Sequence, residues 1–471
     1  MLENPEGVRD RLLNRLRRET PALKVNDLYF EGIQPLRFLS PAAIEQLGGP
    51  KTTNMVLNIP RYAVDVYENR LDIEGFRVQG TDEADDAMWS DWQYNDGDLL
   101  SQQAHREALA LGRAYAIVGP GNDEVPLITA ESPFEAIHED DPRTHEVRDG
   151  IKKWTDLDGD QFVSLYHPDG RLTWYKTKGK RDWKLDDGVK EENDFNLCRL
   201  VPLVNDPRML GRLLPGLPDQ RLGRSVFHDV VGIVDALNKI ASDMMTSAEF
   251  HAMPRRWATG LKEDDFLDEA TGAQLDTFSL IAGRMWGVEN EKAKFGQFPE
   301  ADLTNFHNTI KILSQVAAQY LALPPHYLGF ATENPASADA IRSSESQLVK
   351  AAERKQRTLG TRWERVQRLV LLTRGAEDSS ELRRIETLWR DPATPTIAQK
   401  ADAIVKLVQA KDASGKPILP VQQAREDLGY TLTQRNRMDD YDLQNALDPL
   451  TDRAIRRLAL TGGGSAPADG S

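Results

Sequence analysis

The residues of this chain best suited to chemistry are carboxylates and histidines, and they gather in two short stretches. "DLDGDQFVSLYH" sets Asp156, Asp158 and Asp160 at alternate positions, which is how a calcium-binding loop opens. Such a loop also needs a glycine at its sixth place for the sharp turn and a glutamate at its twelfth as a bidentate ligand. Gln161 and His167 stand there instead, so a solvated turn is expected. "IHEDDPRTHE" carries His138, Asp140, Asp141 and His145, all metal-capable, at a spacing that fits no defined site. A polar loop between strands is the expectation there. "ASGKP" lacks the earlier glycine of a phosphate-cradling loop, and Pro417 replaces the hydroxyl residue that would meet magnesium. "GPGNDE" lacks the dinucleotide-binding spacing, and a hydrolase triad is a matter of geometry that residue counts do not give. No catalytic residue, metal site or cofactor is therefore assigned. A metal-dependent nucleic-acid-processing enzyme, with the three aspartates gathering magnesium, stands as the alternative reading.

Composition sets the frame for these residues. The 471 residues carry a formal charge of -15, with 40% hydrophobic and 28% charged side chains. That balance suits a folded chain of several domains with a solvated surface. It argues against a surface basic all over, though a basic lining inside an acidic body escapes the average. Cys198 is the only cysteine, which excludes an intrachain disulfide and a cysteine-rich zinc site and points to manufacture in a reducing compartment. No signal-peptide pattern and no long apolar run is present, so neither secretion nor membrane spanning is expected.

Periodicity then places the elements. Helices are expected around residues 5–19 and after Ser40-Pro41, with "VNDLYFEGIQPLRFL" as a compact connector, and another where Val56, Ile59, Tyr62, Val66 and Tyr67 share a face. "DIEGFRV" reads as a short strand, residues 81–112 as helical, and "RAYAIVGPG" as a buried strand. From there to about 200 the period is two, with Gly, Asp and Pro turns: an antiparallel meander inserted among helices. Leu222, Val226, Val230, Ile233, Leu237, Ile240, Met244 and Ala248 form one long helical stripe, and Leu303 to Leu321 form a second. Between them, residues 254–300 break the pattern with glycines and prolines, giving a small mixed subdomain at the tip of a helical stalk. After Pro324-Pro325 and the polar loop "GFATENPASADA" comes a helix from about Ala338 to Leu372 with eight basic and four acidic residues. Shorter helices are expected over 396–460, and "TGGGSAPADGS" has little to bury.

Several of these segments, in this order, resemble one family. "VNDLYFEGIQPLRFL", "LNIPRYAVDVYENRLDIEGFR", "VPLVNDPR" with "LGRSVFHDVVGIVDALNKIASDMM", and "LALPPHYLGFATENPASADAIRSSESQLVKAAERKQ" are similar to the portal proteins of tailed bacteriophages, the SPP1-like (Gp6-like) group found in phages of actinobacteria. The resemblance implies a mainly helical α+β portal fold that assembles as a ring, usually of twelve subunits, around a DNA channel. It implies a wing over 1–220, a first stem helix over 221–253 and a clip over 254–300. A second stem helix over 301–323, a tunnel loop over 324–338, a wing-to-crown helix and linker over 339–390, a crown over 391–460 and a tail over 461–471 complete it.

By the same resemblance the protein is a non-enzymatic DNA conduit. It sits in the virion at one capsid vertex, is assembled in the host cytoplasm, and serves head assembly, packaging, head–tail connection and ejection. Its implied partners are copies of itself, double-stranded DNA, the terminase large subunit, major capsid and scaffolding proteins and a head–tail adaptor, with no membrane. Thr332, Asn334 and Ser337 in the loop, and Arg342, Arg354 and Arg357 on the helix after it, are the expected channel residues, since contacts to a sliding phosphate backbone carry no sequence information. The arginines have a competing use as ion-pair partners of Glu345 and Glu353 between subunits. Met285, Trp286, Phe295 and Phe298 are the expected clip-interface residues, because aromatics and methionine concentrate at interface centres. A capsid-associated structural protein without a channel is the second alternative.

Overall fold

The first helix forms because apolar residues recur on one face: Val8, Leu12, Leu16 and Leu23 are all buried. A computed structural model of the chain describes residues 4–35, 37, 56–78, 84–121, 125–186, 188, 190–209, 211, 218–252, 256–259, 294–297, 303–329, 338–393, 397–412, 415–430 and 433–443. In it, α1 runs Pro5–Glu31, straight through Pro21, so the expected stop near residue 19 and the connector beginning at Val25 are corrected. An internal proline costs a helix about 3 kcal/mol; burial of Leu16 on one side and Leu23 on the other offsets it. The expected helix after Ser40-Pro41 lies outside the described residues.

The described residues divide into two compact units. The larger contains residues 1–27, 62–226 and 341–471. Its six-stranded antiparallel sheet orders β4 (Ala136–Asp140), β5 (Val147–Thr155), β6 (Gln161–His167), β7 (Gly170–Lys176) and β8 (Lys184–Leu185), with β9 (Glu191–Glu192) also on β7. One face of this sheet, through Ile137, Ile151, Val163, Leu165 and Trp174, packs on Val8, Leu12 and Leu16 of α1. A three-stranded sheet orders β10 (Leu200–Val204), β2 (Arg113–Gly119) and β3 (Leu127–Glu131). Tyr115 and Leu200 from it share a core with Tyr166 and Cys198. The meander expected over this region is present.

The helical stretch expected over 81–112 is two helices, α3 (Asp86–Tyr94) and α4 (Gly97–Leu111), following α2 (Ile59–Glu68) and β1 (Ile73–Val78). The break falls where Asp96 adopts a left-handed φ of 51°. Gly97 is required beside it, since a Cβ there would lie 2.3 Å from the Trp92 ring. A strand that periodicity did not show, β13 (Ile385–Trp389), pairs antiparallel with β1 from over three hundred residues earlier in the chain. Near the C-terminal end α8 (Ile397–Gln409) and α9 (Val421–Asp427) are short helices.

The smaller unit contains residues 28–61 and 227–340. The stripe that opens at Leu222 is helical only from α5 (Val231–Ala252), after two 3-10 turns at Gln220–Leu222 and His228–Val230. Helix α6 (Thr304–Tyr320) packs against it. Two polar residues one turn apart fix α5: Asp235 accepts from the Tyr29 hydroxyl at 2.7 Å, and Asn238 Oδ1 accepts from the Leu57 N–H at 2.8 Å. Tyr29 and Asp235 are both buried. Within 254–300 the described residues form one antiparallel pair, β11 (Arg256–Thr259) with β12 (Lys294–Gln297).

Candidate functional site

The long helix expected after the polar loop is α7 (Ala338–Thr373), 36 residues and about 54 Å at helical rise. Within the larger unit its buried face runs Leu348, Ala352, Leu359, Trp363, Val366 and Val370, at steps of three, four or seven, and so forms one helical stripe. The opposite face presents Lys350, Glu353, Arg354, Arg357 and Thr361 to solvent.

Two neighbouring residues pin this helix by their polar ends. Lys355 Nζ donates to Asn205 Oδ1 at 2.8 Å and lies 4.8 Å from the Tyr67 ring centroid. Burial of the ammonium, against the attraction of Asp206, brings the Lys355 pKa down to about 8. Gln356 Nε2 donates to the carbonyls of Arg70 and Arg390 at 2.8 and 3.0 Å, tying α7 to the ends of α2 and β13. One turn on, Gly360 meets β13 so closely that a Cβ would stand 3.0 Å from Trp389 Nε1, and Thr387 Oγ1 donates to its carbonyl at 3.2 Å. Trp363 Nε1 then donates to His105 Nε2 at 2.8 Å, with both side chains fully buried. His105 is therefore the Nδ1–H tautomer, and burial drives its pKa to about 3. Arg368–Asp378 and Arg374–Asp91 ion pairs hold the last turns.

Of the expected channel residues, Arg354 and Arg357 are both exposed. Arg357 Nε reaches only the Glu353 carbonyl, at 3.4 Å. Both guanidinium groups lie on the exposed face of α7. Arg342 occupies the second turn of α7 and Phe295 a position on β12 opposite Ala258; their side chains, together with Thr332, Asn334, Ser337, Met285, Trp286 and Phe298, lie outside the described residues. Sequence patterns carried no sign of Lys355, Gln356 or His105, because each is held by at least one partner 150 or more residues away.

The stretches tested for chemistry have structural uses. Asp156 Oδ1 accepts from the N–H groups of Asp158 and Asp160 at 3.0 and 2.8 Å, making the solvated turn expected there. His138 and Asp140 belong to strand β4 rather than to a loop, a correction. His138 Nδ1 lies 3.1 Å from the buried Tyr115 hydroxyl, and burial holds the imidazole neutral, below its usual pKa. Asp141 Oδ1 accepts from the N–H groups of Arg143 and Thr144 at 2.8 and 3.0 Å, closing the following turn. Among the described residues no group of three or more His, Cys, Asp or Glu side chains is placed to hold a metal ion. Nor is any described helix long and apolar enough to cross a membrane.

Among the described residues this is a mixed α/β scaffold whose charged groups build turns, pins and ion pairs and whose 36-residue helix keeps Arg354 and Arg357 on its exposed face. The family model for "Phage portal protein, SPP1 Gp6-like" matches residues 10–432. The chain is 31% identical to the portal protein of Mycobacterium phage D29 over 459 residues, covering 94% of this chain and 90% of that one. It is 30% identical to the portal protein of Mycobacterium phage L5 over 460 residues, with the same coverage of 94% and 90%. A solved chain from the neck of an empty GTA particle, computed with C6 symmetry, superposes with a TM-score of 0.44 at 12% identity, over 84% of this chain and 95% of that chain. The chain belongs to the SPP1 Gp6-like family of phage portal proteins. Its function is that of a phage portal protein in DNA packaging and ejection.

Proposed function

We propose that copies of this chain close into a ring of about twelve around an axial DNA channel, at one vertex of the capsid, by head-to-tail contacts that close by rotation. The family match over residues 10–432 is the observation that carries this reading. In it the larger unit supplies wing and crown. Helices α5 and α6 are the stem, residues 254–300 the clip, and residues 324–338 the tunnel loop. The ring nucleates head assembly, receives the terminase that supplies the energy of packaging, and later holds the head–tail adaptor through the clip, where Met285, Trp286, Phe295 and Phe298 are the interface candidates.

Passage needs contact without capture. Each lysine or arginine that neutralises a phosphate steepens the salt dependence of DNA binding and tightens it. An acidic chain, at -15, with a few exposed cations such as Arg354 and Arg357 and short polar groups at Thr332, Asn334 and Ser337, keeps those contacts weak and exchangeable. Deletion of residues 331–337 tests this, scored as nuclease-protected DNA per particle. Normal head numbers with reduced protected DNA is the expected result. Full DNA content would overturn the assignment of the loop to the channel.

A further inference from the structure

Around the buried pair of His138 and Tyr115, four arginines converge from three elements of the larger unit. Arg15 comes from α1: its Nη1 donates to the His138 carbonyl at 3.0 Å and its Nη2 to Asp219 Oδ2 at 2.9 Å. Arg113 opens β2 at 3% exposure, two residues before Tyr115 and on the same face of the strand. Its charge acts on both Tyr115 and His138. Arg362 and Arg365 come from the second half of α7 and are half-buried. Three residues apart, they share one side of the helix and repel each other, while Arg362 and Arg15 both act on Asp140.

These cations are least satisfied where they are driest. Arg113 Nε and Nη2 and Arg365 Nε are buried donors with no hydrogen-bond partner among the described residues. Of the nearby described carboxylates, Asp219 is engaged by Arg15 and Arg221 at 2.9 and 3.3 Å, and Asp140 meets His138 at 3.6 Å. Arginine keeps its proton inside proteins, so these charges are not relieved by titration, and burying them without a counter-charge is costly. An anion between them offsets that cost. Guanidinium forks match the paired oxygens of a tetrahedral oxyanion. The cluster reaches solvent through Arg362 and Arg365, whereas Arg113 at its floor is buried beyond the reach of a duplex backbone. That favours a small free ion.

We propose that Arg113, Arg362 and Arg365 hold a small tetrahedral oxyanion of the phosphate class. Bound there, the ion ties the second half of α7 to β2 and, with Arg15 alongside on the His138 carbonyl, to the junction of α1 and β4. All of these residues belong to the larger unit. The site needs neither a ring nor DNA, so its test is independent of the channel reading.

The test titrates sodium phosphate calorimetrically into the full chain at neutral pH, with ionic strength held constant by chloride. Wild type is compared with Arg362→Gln/Arg365→Gln and with Lys180→Gln/Arg181→Gln, a pair on an exposed turn. One saturable site per chain is expected, with affinity roughly tenfold weaker in the Arg362/Arg365 variant and unchanged in the Lys180/Arg181 variant. Phenylglyoxal labelling of the wild type, located by mass, gives an answer that depends on no variant folding. Phosphate should protect Arg362 and Arg365 and leave Arg181 open to the reagent. Heats no different from chloride, with no protection of the two arginines, would overturn the proposal. Equal weakening by the Lys180/Arg181 variant would mark adventitious attraction to surface charge and overturn it as well. Protection by a short DNA duplex but not by phosphate would assign the donors to a nucleic-acid backbone, and the small-ion site would fall.

Discussion

At the scale of single residues, burial sets the protonation of His105 and Lys355. His105, with a pKa near 3 against an ordinary 6.5, stays neutral in the folded chain while the unfolded chain takes up a proton below about 6.5. Stability is therefore lost as pH falls from about 6.5 toward 3. The urea midpoint should be lower at pH 4.5 than at pH 6.5, and His105→Gln, which keeps an acceptor but does not titrate, should flatten that slope. Trp363→Phe removes the donor to His105 Nε2 and leaves a buried acceptor unpaired, which costs about 1–3 kcal/mol; urea unfolding at pH 7 reads it directly. Lys355 acts in the same sense at higher pH. Its folded pKa of about 8 lies below the ordinary 10.5, so between those values the unfolded chain holds a proton that the folded chain has released. Its contribution to stability rises with pH across that window, and Lys355→Met should abolish the rise measured between pH 8 and 10.

At the scale of elements, the helices separate into those that periodicity reveals and those whose limits depend on distant partners. The stripe from Leu348 to Val370 is visible in the sequence and becomes the buried face of α7. The end of α1 was misplaced because Pro21, Gly32 and Pro35 suggest turns, whereas Tyr29, bonded to Asp235 on α5, carries the helix on to Glu31. Strand β13 escaped notice because five residues of mixed character become a strand only by pairing with β1. The basic helix that carries Arg354 and Arg357 was legible in the sequence. The pins that orient the helix were not, since Lys355 and Gln356 have no distinguishing neighbours in sequence. Gly360 supplies an element-scale test. Gly360→Ala adds a methyl 3.0 Å from Trp389 Nε1, and such overpacking costs about 1–3 kcal/mol. By contrast Arg354→Ala with Arg357→Ala, both on the exposed face, should change stability by no more than about 0.5 kcal/mol. A larger loss of melting temperature in the arginine pair than in Gly360→Ala would mean that the exposed face is covered by structure within the same chain.

At the scale of the whole molecule, the described carboxylates and histidines that might have indicated an enzyme are engaged in turns and cores. The aspartates at 156 and 160 and the histidine at 138 are occupied by their own backbone and by Tyr115. Residues 10–432 place the chain among the SPP1 Gp6-like phage portal proteins, for which we propose the role of a conduit. A conduit has to be closed, so its central property belongs to the assembly rather than to the single chain. The most direct measurement is imaging of the purified full-length protein with rotational symmetry analysis, paired with its mass in solution. A closed ring of about twelve copies with an open axial channel is the predicted result. A uniform monomer at every concentration, or a particle with no opening on its axis, would contradict it.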